Sequence, residues 1–108
     1  MATIPELTKA GLEHRLTARA RTRWPKVLEL RFRYRGAFAW VDAELTDGEV
    51  VPLARLRYLG SDQDWGFGLY LASTDKYEDQ ILPTGGFTGT PEDTLDCACE
   101  LYLEAPDF

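Results

Sequence analysis

Residues 27–72, VLELRFRYRGAFAWVDAELTDGEVVPLARLRYLGSDQDWGFGLYLA, decide the fold. They read as a continuous antiparallel meander of four strands, over 27–34, 37–46, 49–59 and 65–72. Arg35-Gly36 and Asp47-Gly48 read as two-residue turns with glycine where positive φ is needed. Closing the first hairpin there pairs Tyr34 with Ala37, Arg33 with Phe38, Phe32 with Ala39 and Arg31 with Trp40. Closing the second pairs Leu45 with Val50, Val41 with Ala54, Trp40 with Arg55 and Phe38 with Arg57.

Side chains alternate faces along a strand, and both turns agree on one face that is nearly all apolar: Leu28, Leu30, Phe32, Ala39, Val41, Ala43, Ala54 and Leu56. The opposite face carries two rows, Arg33–Phe38–Arg57 and Arg31–Trp40–Arg55, an arginine–aromatic ladder. In the fourth strand Trp65, Phe67, Leu69 and Leu71 alternate with Gly66, Gly68, Tyr70 and Ala72. The large apolar set belongs with the core, which places both glycines and Tyr70 on the ladder face. Pro52 has no N–H for a ladder, so a bulge or a shortened third strand is expected there.

Helices flank the meander. Thr3-Ile4-Pro5-Glu6 reads as a helix start with Thr3 as the cap, and Trp24-Pro25 ends the helix near Arg23. Leu12, Leu16 and Ala20 form its buried stripe, and Arg15, Arg19 and Arg23 form a basic stripe beside it. Gly11 weakens the first half and invites a kink or a late helix start. A second start at Thr90-Pro91-Glu92-Asp93 opens a helix to Leu103, burying Leu95, Ala98, Cys99 and Tyr102, with an acidic stripe of Asp93, Asp96 and Glu100. Two helices side by side on one sheet face would set the acidic stripe against the basic one. Residues 73–90 read as loop, with a short strand at Gln80-Ile81-Leu82. The fold expected is one α+β domain over 1–108: two layers, α-β-β-β-β-α, a four-stranded antiparallel meander with both helices on one face.

The net charge of −6 is unevenly placed, +6 over residues 1–36 and −12 over 37–108. In a compact domain such halves attract each other, and the overall sign disfavours binding through phosphate neutralisation. Nine of the twelve cations are arginine, which suits stacking and bidentate pairing. No apolar run approaches the roughly 20 residues of a membrane span. Met1–Glu6 lacks a basic region followed by an apolar stretch, so a cytoplasmic protein is expected. Cys97 and Cys99, two apart on a helix, read as reduced thiols.

Catalytic chemistry finds little footing. His14 is the single histidine, and no nucleophile elbow or zinc pattern occurs. The glycine-rich run before the second helix lacks the Lys and Ser/Thr of a phosphate loop, and Glu92 and Asp93 already occupy the positive end of that helix. Carboxylates at Asp62 and Asp64, and at Asp75, Glu78 and Asp79, match no calcium loop. No cofactor is implied.

The ladder remains, with Arg31, Arg33, Phe38, Trp40, Arg55, Arg57 and Tyr70 as candidate binding residues. It reads three ways. Arginines opposite aromatics on a solvated sheet gain roughly 0.5–1 kcal/mol each from cross-strand and cation–π contact. Exposed aromatics with arginine also mark the centre of protein interfaces, including self-association. Arginines beside flat aromatic rings can likewise hold phosphates and stacked bases. Protein contact stands ahead of nucleic acid because the chain is acidic.

The run RYRGAFAWVDAELTDGEVVPLARLRYLGS with WGFGLYLAS and GTPEDTLDCACELYL resembles a set of small uncharacterised proteins of high-GC bacteria. The resemblance covers nearly the whole chain and implies a bacterial, cytoplasmic setting. It brings no activity, cofactor or functional residue. The helix–strands–helix order is shared with double-stranded-RNA-binding domains, but those need a basic start to the last helix where this chain has Glu92 and Asp93.

Overall fold

The computed structural model describes residues 3–71, 73–82 and 85–104. The first helix, α1, runs Glu6–Arg23 without interruption at Gly11. Its N-cap is Pro5, not Thr3, and no side chain caps it. A residue before proline is pushed to extended backbone, and Ile4 is buried in the core, so the helix opens only after Pro5. Trp24 ends α1 as its C-cap and donates its N–H to the Ala20 carbonyl.

The strands follow as β1 Val27–Arg35, β2 Phe38–Leu45, β3 Val50–Tyr58 and β4 Trp65–Leu71. Two further strands fall within the stretch read as loop: β5 Lys76–Asp79 and β6 Thr88–Gly89. The sheet is therefore larger than the expected four-stranded meander. Its order is β1-β2-β3-β4-β5, with β6 also paired to β4, and all pairings are antiparallel. Residues 80–82 are not strand; Leu82 instead turns inward and is buried. Ala72, the expected end of β4, lies outside the described residues.

The first hairpin differs in register from the sequence reading by two residues. Arg35 pairs with Phe38, Arg33 with Trp40 and Arg31 with Asp42. The turn residues are Gly36 and Ala37, with Gly36 at φ +60°. A turn centred on Arg35-Gly36 would need positive φ at Arg35 as well, whereas glycine in the first central position satisfies a type II′ turn alone. A shift of two conserves the faces, so the ladder survives with its partners exchanged. No atom lies within 4 Å of a Cβ built on Gly36, so the cost of Gly36→Ala is backbone strain alone. We expect about 1–2 kcal/mol of destabilisation, read from the midpoint of a denaturant titration with an unchanged slope.

The second hairpin closes through three residues, Thr46–Gly48, not two. Leu45 donates its N–H to the Glu49 carbonyl, and Gly48 alone in the loop has positive φ, at 91°. The Asp47 carboxylate accepts from the Glu49 N–H and holds the turn. Leu45 therefore does not face Val50, which pairs with Glu44. A bulge at Leu53, between Val41↔Ala54 and Asp42↔Pro52, restores the register beyond it. The Phe38–Arg57 and Trp40–Arg55 pairs consequently stand as the sequence placed them. Pro52 lies beside that bulge, and Leu53 and Ala54 are both buried.

Leu12, Leu16 and Ala20 of α1 join Leu30, Ala39, Val41, Ala43, Leu56, Phe67 and Leu69 of the sheet in one core. The second helix, α2 Pro91–Cys99, adds Leu95, Ala98 and Cys99 to it. Thr90 caps α2 by accepting from the Asp93 N–H, and a π-helical turn, Glu100–Glu104, continues it. Leu28 is not part of the core. It sits at a register shift between Val27 and Glu29 and is 64% exposed, while Val27 packs against the core in its stead.

The basic stripe of α1 meets carboxylates of α2, but among the described residues Asp96 is joined there by Glu92 and not by Asp93 or Glu100 of the expected acidic stripe. Arg15 makes a bidentate pair with Glu92 at 2.7 and 2.9 Å. Arg19 reaches Asp96 at 2.6 Å, and the Trp24 indole donates to the same carboxylate at 3.0 Å. Much of the charge asymmetry is thus internal pairing between the helices.

Candidate functional site

The meander sets alternate residues of five strands on the face away from the core. One row runs Arg33–Trp40–Arg55–Gly68–Asp79, and a second runs Arg35–Phe38–Arg57–Gly66. Tyr70 faces Tyr77 across β4 and β5. The seven ladder residues expected from sequence therefore share one face, enlarged by Arg35, Asp42, Glu44, Tyr77 and Asp79. The sequence reading missed the β5 contributors because Lys76-Tyr77-Glu78-Asp79 is a short edge strand whose polar residues give no alternating apolar signal.

Carboxylates occupy three of the four ladder arginines. Arg31 Nη2 lies 2.6 Å from Glu44 Oε1, Arg55 Nη2 3.3 Å from Asp79 Oδ1 and Arg33 Nη2 3.8 Å from Asp42 Oδ2. The hydrogen bond from Arg31 to Glu44, with the charge of that carboxylate, raises the arginine pKa further. Asp42 Oδ1 is buried without a hydrogen-bond partner among the described residues. Tyr77 has its pKa raised by burial and by the charge of Asp42, with Arg33 opposing.

Aromatic rings fill the spaces between these pairs. Phe38 and Trp40 tilt against each other with centroids 5.8 Å apart, and Tyr70 and Tyr77 do so at 5.2 Å. Arg55 and Arg57 lie 5.0 and 5.8 Å from the Phe38 ring centroid, and Arg33 lies 5.9 Å from that of Trp40. The Tyr70 hydroxyl donates to Asp75, and that hydrogen bond raises the tyrosine pKa.

At one corner the face sinks into a depression of about 210 Å³ over Gly66 and Gly68. Phe38, Arg55, Arg57 and Leu59 line it on the side of β2 and β3, and Phe87 on the side of β6. Phe87 is fixed there because its carbonyl accepts from the Phe67 N–H at 3.1 Å. Residues 80–82 and 85–89 thus return to the β4 edge, and Phe87 raises one wall of the depression. Neither Leu59 nor Phe87 was a sequence candidate: Leu59 lies just past the end of β3, and only the return of residues 85–89 to β4 brings Phe87 to the ladder.

His14 is exposed on α1, far in sequence from any ladder residue. Among the described residues no group of His, Cys, Asp and Glu is placed to hold a metal ion. Cys97 and Cys99 are free thiols, and burial raises the pKa of both. No helix among the described residues is long and apolar enough to cross a membrane.

Comparison with known families matches residues 6–64, more than half of the chain, to the bacterial PH domain. The chain belongs to the bacterial PH domain family. The match spans α1 through β3 and ends just before β4, so it includes every ladder candidate except Tyr70. Membership in this PH family points to a small non-catalytic binding module. No curated protein and no solved structure matched the chain.

Proposed function

We propose that this PH domain docks a protein partner through its arginine–aromatic sheet face. The observation that carries the reading is that Arg31, Arg33 and Arg55 are already paired with carboxylates of the same face. A face so neutralised offers little counterion release to a polyphosphate. It suits an interface in which aromatic rings supply contact area and ion pairs fix orientation. A bacterial, cytoplasmic setting fits the two free thiols.

Single- and double-stranded oligonucleotides, titrated at low and moderate salt, are expected to leave the ladder resonances unmoved. Salt-sensitive binding that disappears in the Arg31→Ala, Arg55→Ala variant would replace the protein reading with the nucleic-acid one. Sedimentation of wild type and Trp40→Ala identifies the partner class. A concentration-dependent dimer weakened by Trp40→Ala makes the partner a second copy, and a monomer throughout assigns the face to a different protein.

A further inference from the structure

We infer that the depression over Gly66 and Gly68 receives an acidic residue of the partner polypeptide together with an adjoining apolar side chain, with Arg57 holding the carboxylate. The inference rests on the docking role of the ladder face and specifies its chemistry. Arg57 stands apart from Arg31, Arg33 and Arg55, because no carboxylate among the described residues lies within ion-pair distance of it. Its guanidinium is instead held 5.8 Å from the Phe38 ring centroid, which leaves the planar donor fork free for a bidentate acceptor.

The floor is open because it is backbone. A Cβ on Gly66 would sit 3.2 Å from the Arg57 Cβ, and one on Gly68 3.4 Å from Arg55 Nη2 and 3.5 Å from Asp79 Oδ1. Any side chain there would project into the space a ligand needs. The apolar lining of the depression is wet, with Leu59 47% and Phe87 56% exposed. At about 210 Å³ the space is smaller than the roughly 300–1,000 Å³ of small-molecule and cofactor sites, and it fits a side chain of an extended peptide.

Charge selects the acid. At the rim Arg55 is shared with Asp79, so among the residues lining the depression Arg57 supplies the net positive charge. One carboxylate balances it. A phosphate dianion or a polyphosphate would meet Asp79 at the rim and Asp42 and Glu44 further along the face, at a repulsive cost.

The test is selection of random displayed dodecapeptides on the full chain, followed by NMR titration of the end-capped consensus peptides and, separately, of inorganic phosphate. The expected consensus places Asp or Glu beside an aromatic or branched apolar residue and shifts the Gly66 and Gly68 amides. Binding should fall at least about tenfold on Asp→Asn or Glu→Gln in the peptide, and on Arg57→Ala in the protein, as for a lost charge-assisted hydrogen bond. Arg57→Ala keeps the Cβ that lies over Gly66, and Arg21→Ala, on the exposed side of α1, serves as the control that should bind normally. Peptides that shift Trp40 and Tyr77 but not the glycines, and tolerate Arg57→Ala, overturn this assignment while leaving ladder docking in place. Failure of every peptide to move any ladder residue overturns both. Phosphate that saturates the glycine amides at lower concentration than the peptides overturns the choice of a carboxylate.

Discussion

Replacing Asp96 with Ala is expected to destabilise the domain by about 2–4 kcal/mol, read from denaturant midpoints. One carboxylate, its side chain only 15% exposed, serves Arg19 at 2.6 Å, the Trp24 indole at 3.0 Å and Arg23 at 3.8 Å. It therefore fixes the end of α1, the chain reversal into β1 and the middle of α2 together. Its removal leaves the indole N–H unsatisfied at a buried tryptophan and Arg19 without its partner. Asp96→Asn should cost less, because the amide oxygen still accepts one hydrogen bond.

The same clamp gives stability a pH dependence of definite sign. Burial pushes the Asp96 pKa up, but hydrogen bonds from Arg19 and Trp24 and the arginine charges outweigh it, and the net direction is down. Glu92 is also lowered, chiefly by the hydrogen bond from Arg15, against some opposition from burial. A carboxyl group with its pKa depressed by folding contributes stability that is fully present above its unfolded value. That contribution is lost as pH falls through the folded value. Wild type should therefore lose stability more steeply than the Glu92→Gln, Asp96→Asn double variant as pH drops below about 4. Equal slopes in acid would mean that the interhelix pairs contribute nothing net.

Trp65→Ala is expected to have the largest effect of any single truncation, about 3–5 kcal/mol, a large share of the total stability of a small domain. Trp65 is fully buried at the start of β4, pairs with Gly89 of β6, packs its ring 5.4 Å from that of Tyr58, and donates its indole N–H to the Asp62 carbonyl at 3.2 Å. The cavity would open beneath the segment that carries Phe87, so the depression should loosen with it. Trp65→Phe should retain most of the stability but lose the Asp62 bond. Thermal and denaturant unfolding of the two variants separates the volume contribution from the hydrogen bond. A midpoint for Trp65→Ala within experimental error of wild type would show that the β4–β6 contact is dispensable.

Several features were legible in the chain because their causes are local. The apolar stripe of α1, the Thr90 cap, the alternation of β4 and the end of α1 at Trp24 each follow from the conformational preferences of a few adjacent residues. That the basic stripe of α1 would meet carboxylates of α2 was also legible from helical spacing, but among the described residues only Asp96 of the expected acidic stripe takes part, with Glu92 in place of Asp93 and Glu100. Strand faces were robust for a different reason. An error of two residues in the first hairpin leaves parity unchanged, and in the second the longer loop is offset by the Leu53 bulge.

Sequence by itself determined that arginines and aromatics share the face away from the core, because parity along a strand depends only on the alternation of neighbours. Tertiary structure alone decided what each of those arginines touches. Exact register depends on which residue bears positive φ, and this placed Arg33 on Trp40 and brought Asp42 opposite Arg31. The return of Lys76–Asp79 and of Thr88–Gly89 to β4 depends on backbone groups that any sequence possesses and on burial of Leu82. That return supplied Asp79 to Arg55, set Phe87 beside Gly66 and left Arg57 as the ladder arginine without a carboxylate among the described residues.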